Sequence, residues 1–128
     1  MPRPTKKRAR RAATKTRRLS VNDARLAEIV RRVVQVAQPE KIILFGSAAR
    51  GEMGPHSDVD LLVIKRGEFD ASWLTGEIYT HLHGVGQAVD IILVTPEQVE
   101  RYRNVHSLII APALREGKEI YHAPALSA

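Results

Sequence analysis

Apolar positions along the chain follow two periods, and each change of period marks a new element. Leu26, Ile29, Val30, Val33, Val34 and Ala37 recur at helical spacing and stop at Pro39, which predicts an amphipathic helix with one buried face. Ser20, followed three residues later by Asp23, approximates a capping box and sets the expected start. Lys41-Ile42-Ile43-Leu44-Phe45 is a short β-branched run closed by Gly46 and reads as a central strand. From Asp58 to Lys65 the period is two, with Asp58, Asp60, Leu62 and Ile64 on one face and Val59, Leu61 and Val63 on the other.

Asp70 is placed to cap a helix running to about His83, with Leu74, Ile78 and Leu82 on its apolar side and Gly84 and Gly86 ending it. Ala88 to Thr95 reads as a third strand carrying Asp90, Ile92 and Val94 on one face. Thr95-Pro96-Glu97-Gln98 combines a capping box with proline at the first helical position, the clearest helix start in the chain. A last helix is expected from Ser107 to Glu116, kinked or restarted at Pro112 and closed by Gly117, before a short strand around Glu119 to His122. Helices alternating with strands predict a small α/β (α+β) domain with a mixed sheet flanked by helices.

Composition narrows the class. The chain has 128 residues, 44% of them hydrophobic and 27% charged, which suits one soluble domain. No apolar run approaches the roughly 20 residues of a membrane span, and no apolar stretch follows the basic N-terminus as in a secretory signal. A cytoplasmic protein without membrane contact is expected. The absence of cysteine excludes disulfides and thiolate chemistry.

The formal charge of +6 is unevenly distributed. Nine Lys or Arg fall within residues 1–18 with no acid, and the remainder carries eleven bases against all fourteen acids, a net charge of −3. Residues 1–19 therefore read as a disordered basic arm and 20–128 as the domain. Such an arm binds nucleic acid weakly and without sequence preference, although composition alone does not separate that role from none.

Two features carry chemistry. Asp58 and Asp60 sit in an i, i+2 pattern that sends both carboxylates to one side of the strand, about 6.6 Å apart along it. Paired carboxylates repel unless a cation neutralises them, and magnesium prefers oxygen ligands. Asp90 lies in the third apolar strand, where an acid is costly to bury without a partner, so the three acids suggest a metal triad. The second feature is Gly46-Ser47-Ala48-Ala49-Arg50-Gly51 directly after a strand. Gly46 permits close backbone approach, Ser47 offers a hydroxyl and an N–H, and a helical turn beginning there directs its dipole at an anion. Arg50 returns to the side of Ser47, to pair with phosphate or with a core carboxylate.

Taken together, Gly46-Ser47-x-x-Arg50-Gly51 followed by Ser57-Asp58-Val59-Asp60-Leu61 resembles the signature of the polymerase-beta-like nucleotidyltransferase superfamily. The resemblance spans about residues 22–122, and Asp90 in Val89-Asp90-Ile91-Ile92 matches the third metal-binding or base carboxylate. The size and the ending Leu114-Arg115-Glu116-Gly117-Lys118-Glu119-Ile120-Tyr121 resemble the minimal nucleotidyltransferase group, often the antitoxin half of HEPN-MNT toxin-antitoxin pairs. The basic arm departs from that group.

This resemblance implies a polymerase-beta-like fold and magnesium-dependent transfer of AMP from ATP to a tyrosine of a HEPN-type toxin. Asp58, Asp60 and Asp90 would hold two ions, and Gly46, Ser47, Arg50 and Ser57 would serve the nucleotide. Other readings are a non-catalytic toxin-binding subunit and a small-molecule nucleotidyltransferase completed by homo-oligomerisation.

Overall fold

A computed structural model describes residues 23–51, 58–105 and 109–124. The predicted arm, the Ser20 cap, Ser57 and the Ser107 start of the last helix lie outside the described residues. Among these residues the chain order is α1 (Asp23–Ala37), β1 (Lys41–Phe45), a 3₁₀ turn (Gly46–Ala48), β2 (Val59–Ile64), α2 (Ala71–His81), β3 (Val89–Val94), α3 (Pro96–Tyr102), α4 (Ile110–Glu116) and β4 (Lys118–His122).

The four strands form one mixed sheet in the order β3-β2-β1-β4. β1 lies centrally, antiparallel to both β2 and β4, whereas β2 and β3 are parallel. The parallel pair requires a crossover, and α2 supplies it. Both faces of the sheet are covered, which is why β1 and β2 read as nearly continuous apolar runs. On one face Ile42, Leu44, Val59, Leu61 and Val63 pack with Ile29 and Val33 of α1 and Leu74 and Ile78 of α2. On the other, Ile43, Phe45, Leu62, Ile64 and Val94 pack with Ile110 and Ala113 of α4.

The ends of the elements follow the local chemistry. Gln38, at φ 49°, turns the chain out of α1 just before Pro39, and Lys65 Nζ donates to the terminal Ala37 carbonyl at 2.7 Å. The Asp70 carboxylate accepts from Trp73 N–H at 3.0 Å and caps α2. The α3 capping box is complete, with Gln98 N–H donating to Thr95 Oγ1 at 3.1 Å and Thr95 N–H to Gln98 Oε1 at 2.9 Å.

The described part of the last helix begins at Ile110, with Pro112 inside its first turn, where a missing N–H costs no helical bond. Gly117 closes it in an extended conformation rather than a left-handed one. A Cβ at that position would meet the Ala113 carbonyl, Ile43 Cγ2 and, at 3.0 Å, the Leu44 carbonyl, so space rather than φ requires glycine.

Candidate active site

The antiparallel register sets Phe45, the last residue of β1, opposite Asp60 in β2. The parallel register sets Asp60 opposite Asp90 in β3. Neighbouring strands run about 4.8 Å apart, so the two carboxylates project from adjacent positions on the same sheet face. Asp60 is half-buried and its carboxyl is pushed above the usual range, first by burial, then by the charge of Asp90 and a hydrogen bond with it, and last by the charge of Asp58. Burial and the two neighbouring acids thus act in one direction, against the charged form of Asp60.

Asp90 itself is exposed, which corrects the expectation of an acid buried within an apolar strand. The reason is topological: β3 is an edge strand and Asp90 is its second residue, so the desolvation argument applies to Asp60. Asp58 immediately precedes β2 and is also exposed, close enough to act on Asp60 through its charge.

The 3₁₀ turn begins at Gly46, directly after the residue paired with Asp60. Gly46 has φ 74°, and a Cβ there would collide with Asp60 Oδ2 and lie 3.2 Å from its Cγ. Glycine is therefore required twice, by a left-handed backbone and by the carboxylate against it. Ser47 is half-buried within the turn, whose leading N–H groups have no partner inside it. Arg50 is exposed and lies 3.7 Å from Glu116 at the end of α4. Of the two expected roles, this contact matches neither phosphate nor core carboxylate. It ties the turn to α4, as an open ion pair worth roughly 0.2–1 kcal/mol.

The donor set consists of carboxylate oxygens, which suit a hard divalent cation. Such an ion fits the Asp60–Asp90 pair on electrostatic grounds, since its positive charge offsets the repulsion between carboxylates held at adjacent positions of neighbouring strands. Among the described residues no three Asp, Glu or His side chains stand ready as a metal-ligand group. The structure thus brings Asp60 and Asp90 together and places Asp58 at the entrance to β2.

Elsewhere, an apolar groove lined by Leu26, Ala27, Val30, Val34, Ile120 and Tyr121 lies between α1 and β4. Its residues pack on the Leu61 face of the sheet, opposite the face carrying Asp60, and present no convergent acids. His81 and His83 are both exposed at the end of α2, and His81 Nδ1 lies 2.9 Å from the Glu77 carbonyl.

Two participants around the site were not identified from the sequence. Glu116 gives no signal because its partner is far away in the chain, and Tyr79 reads only as a scattered aromatic, yet its hydroxyl accepts from Ile91 N–H at 2.9 Å beside Asp90.

Comparisons with known proteins agree with this geometry. No curated protein sequence matches the chain. A candidate nucleotidyltransferase from Sulfolobus solfataricus, known from its crystal structure, has a similar fold, with a TM-score of 0.54 and 22% identity over 77% of this chain and 78% of that one. No described helix is long and apolar enough to cross a membrane. The model of the nucleotidyltransferase domain matches residues 24–121, a span that includes the Gly46 turn and all three acids, and the chain belongs to that family.

Proposed function

We propose that this nucleotidyltransferase domain is a cytoplasmic antitoxin that transfers AMP from ATP, with magnesium, to a tyrosine hydroxyl of a HEPN-type toxin. The observation carrying the reading is the Asp60–Asp90 pair, aligned in register beside the Gly46 turn at the same end of the sheet. The family membership supports the reaction class. The protein acceptor is supported by the resemblance of the ending Leu114-Arg115-Glu116-Gly117-Lys118-Glu119-Ile120-Tyr121 to the minimal nucleotidyltransferase group.

In this reading Asp58, Asp60 and Asp90 would hold the divalent cations, whose charge would offset that of the triphosphate and of the entering and leaving oxygens. Gly46 admits the β- and γ-phosphates close to the backbone, the N–H groups of the turn and the Ser47 hydroxyl donate to them, and Ser57 is assigned to the nucleotide from the sequence motif alone. Arg50, held against Glu116, keeps the turn in place. Asp90, exposed at the sheet edge, is open to the acceptor and takes the proton of the attacking hydroxyl. The acceptor oxygen then bonds to the α-phosphorus as the bond to pyrophosphate breaks. Docking of a folded partner over the Ser47 and Asp58 edge holds the hydroxyl within about 3–3.5 Å of phosphorus and excludes water.

Co-expression with the partner followed by intact mass spectrometry tests this reading. An AMP-mass adduct on the partner is expected with the native chain and absent with Asp90→Asn, while the complex persists. A tight complex with no adduct would replace it with the non-catalytic antitoxin reading.

A further inference from the structure

Tyr79 reaches from α2 to the outer edge of β3, the strand that bears Asp90. The hydrogen-bond parity of the β2–β3 pair shows what it holds there. Val59 N–H donates to the Ala88 carbonyl and Lys65 N–H to the Val94 carbonyl, each at 2.9 Å. With Asp60 aligned to Asp90, that parity turns the Asp90 carbonyl toward Leu61 N–H and turns Ile91 N–H away from β2. An edge strand ordinarily leaves such an outward N–H to water or to another chain. Here Tyr79 Oη accepts it at 2.9 Å.

The peptide group following Asp90 is therefore gripped from both sides, by β2 on its carbonyl and by Tyr79 on its N–H. This grip has a use at this position. Asp90 and Asp60 carry like charge, and among the described residues no strand pairs with the outer side of β3. Their repulsion pushes the two residues apart, and on an edge strand fewer strand contacts oppose that push. We infer that Tyr79 is a positioning residue: its hydroxyl, by holding the Asp90–Ile91 peptide, keeps the Asp90 carboxylate beside Asp60 for a shared divalent cation. The inference rests on the proposed reaction for its purpose, but its geometry is independent of the acceptor.

Tyr79→Phe tests it by keeping the ring over the strand edge and removing only the acceptor oxygen. Two measurements on the full chain separate positioning from general stability. Amide exchange followed by NMR is expected to quicken roughly five- to tenfold at Ile91, while core amides such as Ile29 and Val33 stay within about twofold. Calorimetric titration with manganese alone is expected to show about tenfold weaker binding, as found when groups that orient metal ligands are lost. In transfer assays the half-saturating magnesium concentration should rise by a similar factor, with the rate at saturating magnesium retained. A merely structural residue would instead lower the melting temperature and the rate at every magnesium concentration, and that pattern would overturn the inference. Manganese bound equally by the native chain and Tyr79→Phe would overturn it while leaving the functional reading intact. If the native chain binds no manganese, the functional reading fails, and Tyr79 loses the role inferred for it.

Discussion

Replacing Gly46 with alanine probes the point where fold and site meet. Two separable costs are expected. The first is the backbone: at φ 74° a residue with a Cβ pays roughly 1–2 kcal/mol. The second is the contact with Asp60, whose Oδ2 the new methyl would overlap and whose Cγ and Cβ would lie 3.2 and 3.5 Å away. Asp60 has to rotate off its preferred geometry, costing about 1 kcal/mol more. Together these amount to roughly 2–3 kcal/mol, or a melting temperature lower by about 10–20 °C for a domain of this size. Gly84→Ala isolates the first term, because Gly84 has φ 82° and open space around the position of a Cβ. Urea denaturation of Gly46→Ala, Gly84→Ala, Asp60→Ala and the Gly46→Ala/Asp60→Ala double variant completes the comparison. Gly46→Ala should cost about 1 kcal/mol more than Gly84→Ala, and the excess should vanish when Asp60 is already alanine. Equal costs at the two glycines, with no coupling to Asp60, would refute the claim that the turn is built against the carboxylate.

Asp58→Asn and Asp60→Asn should each abolish transfer with the fold intact, checked by circular dichroism and single-turnover assays at saturating magnesium. The raised Asp60 carboxyl means that the native state binds more protons than the unfolded chain between the ordinary carboxylate pKa and the native one. Stability in the absence of metal should therefore fall as pH rises through that window, and Asp60→Asn should flatten the fall in urea titrations. Glu28 has the opposite sign. Hydrogen bonds from Arg31 and Arg32 lower its pKa from 4.5 to about 2, so whatever it contributes is present above pH 4.5 and is lost as pH falls toward 2. Glu28→Gln should remove that acid-side dependence. Deleting residues 1–18 should abolish nucleic-acid binding in filter assays without changing transfer to the partner, and in the full chain that binding should weaken steeply with salt.

The elements most legible in the sequence are those whose signals are local. The Thr95 capping box and the Asp70 cap lie within four residues of the groups they satisfy, so both helix starts could be read directly. The β1 and β2 runs were equally plain because both faces of those strands are covered, which selects apolar residues at nearly every position. The acids were recognisable as exceptions to that pattern. Pairing was not legible. That Asp60 faces Asp90, and that β3 lies at the edge with Asp90 exposed, depends on the order of strands, which no local window contains. The same holds for Arg50 with Glu116 and Tyr79 with Ile91: each is a single contact between elements, made by residue types that look ordinary in sequence.

The central claim is that these carboxylates direct attack on the α-phosphorus of ATP. Incubating the chain and the proposed HEPN-type partner with magnesium and ATP labelled at either the α- or the γ-phosphate tests it most directly. The account predicts label on the partner from α-labelled ATP alone, and none when Asp60→Asn replaces the native chain. Label transferred from the γ-phosphate, or α-label that persists with Asp60→Asn, would contradict it.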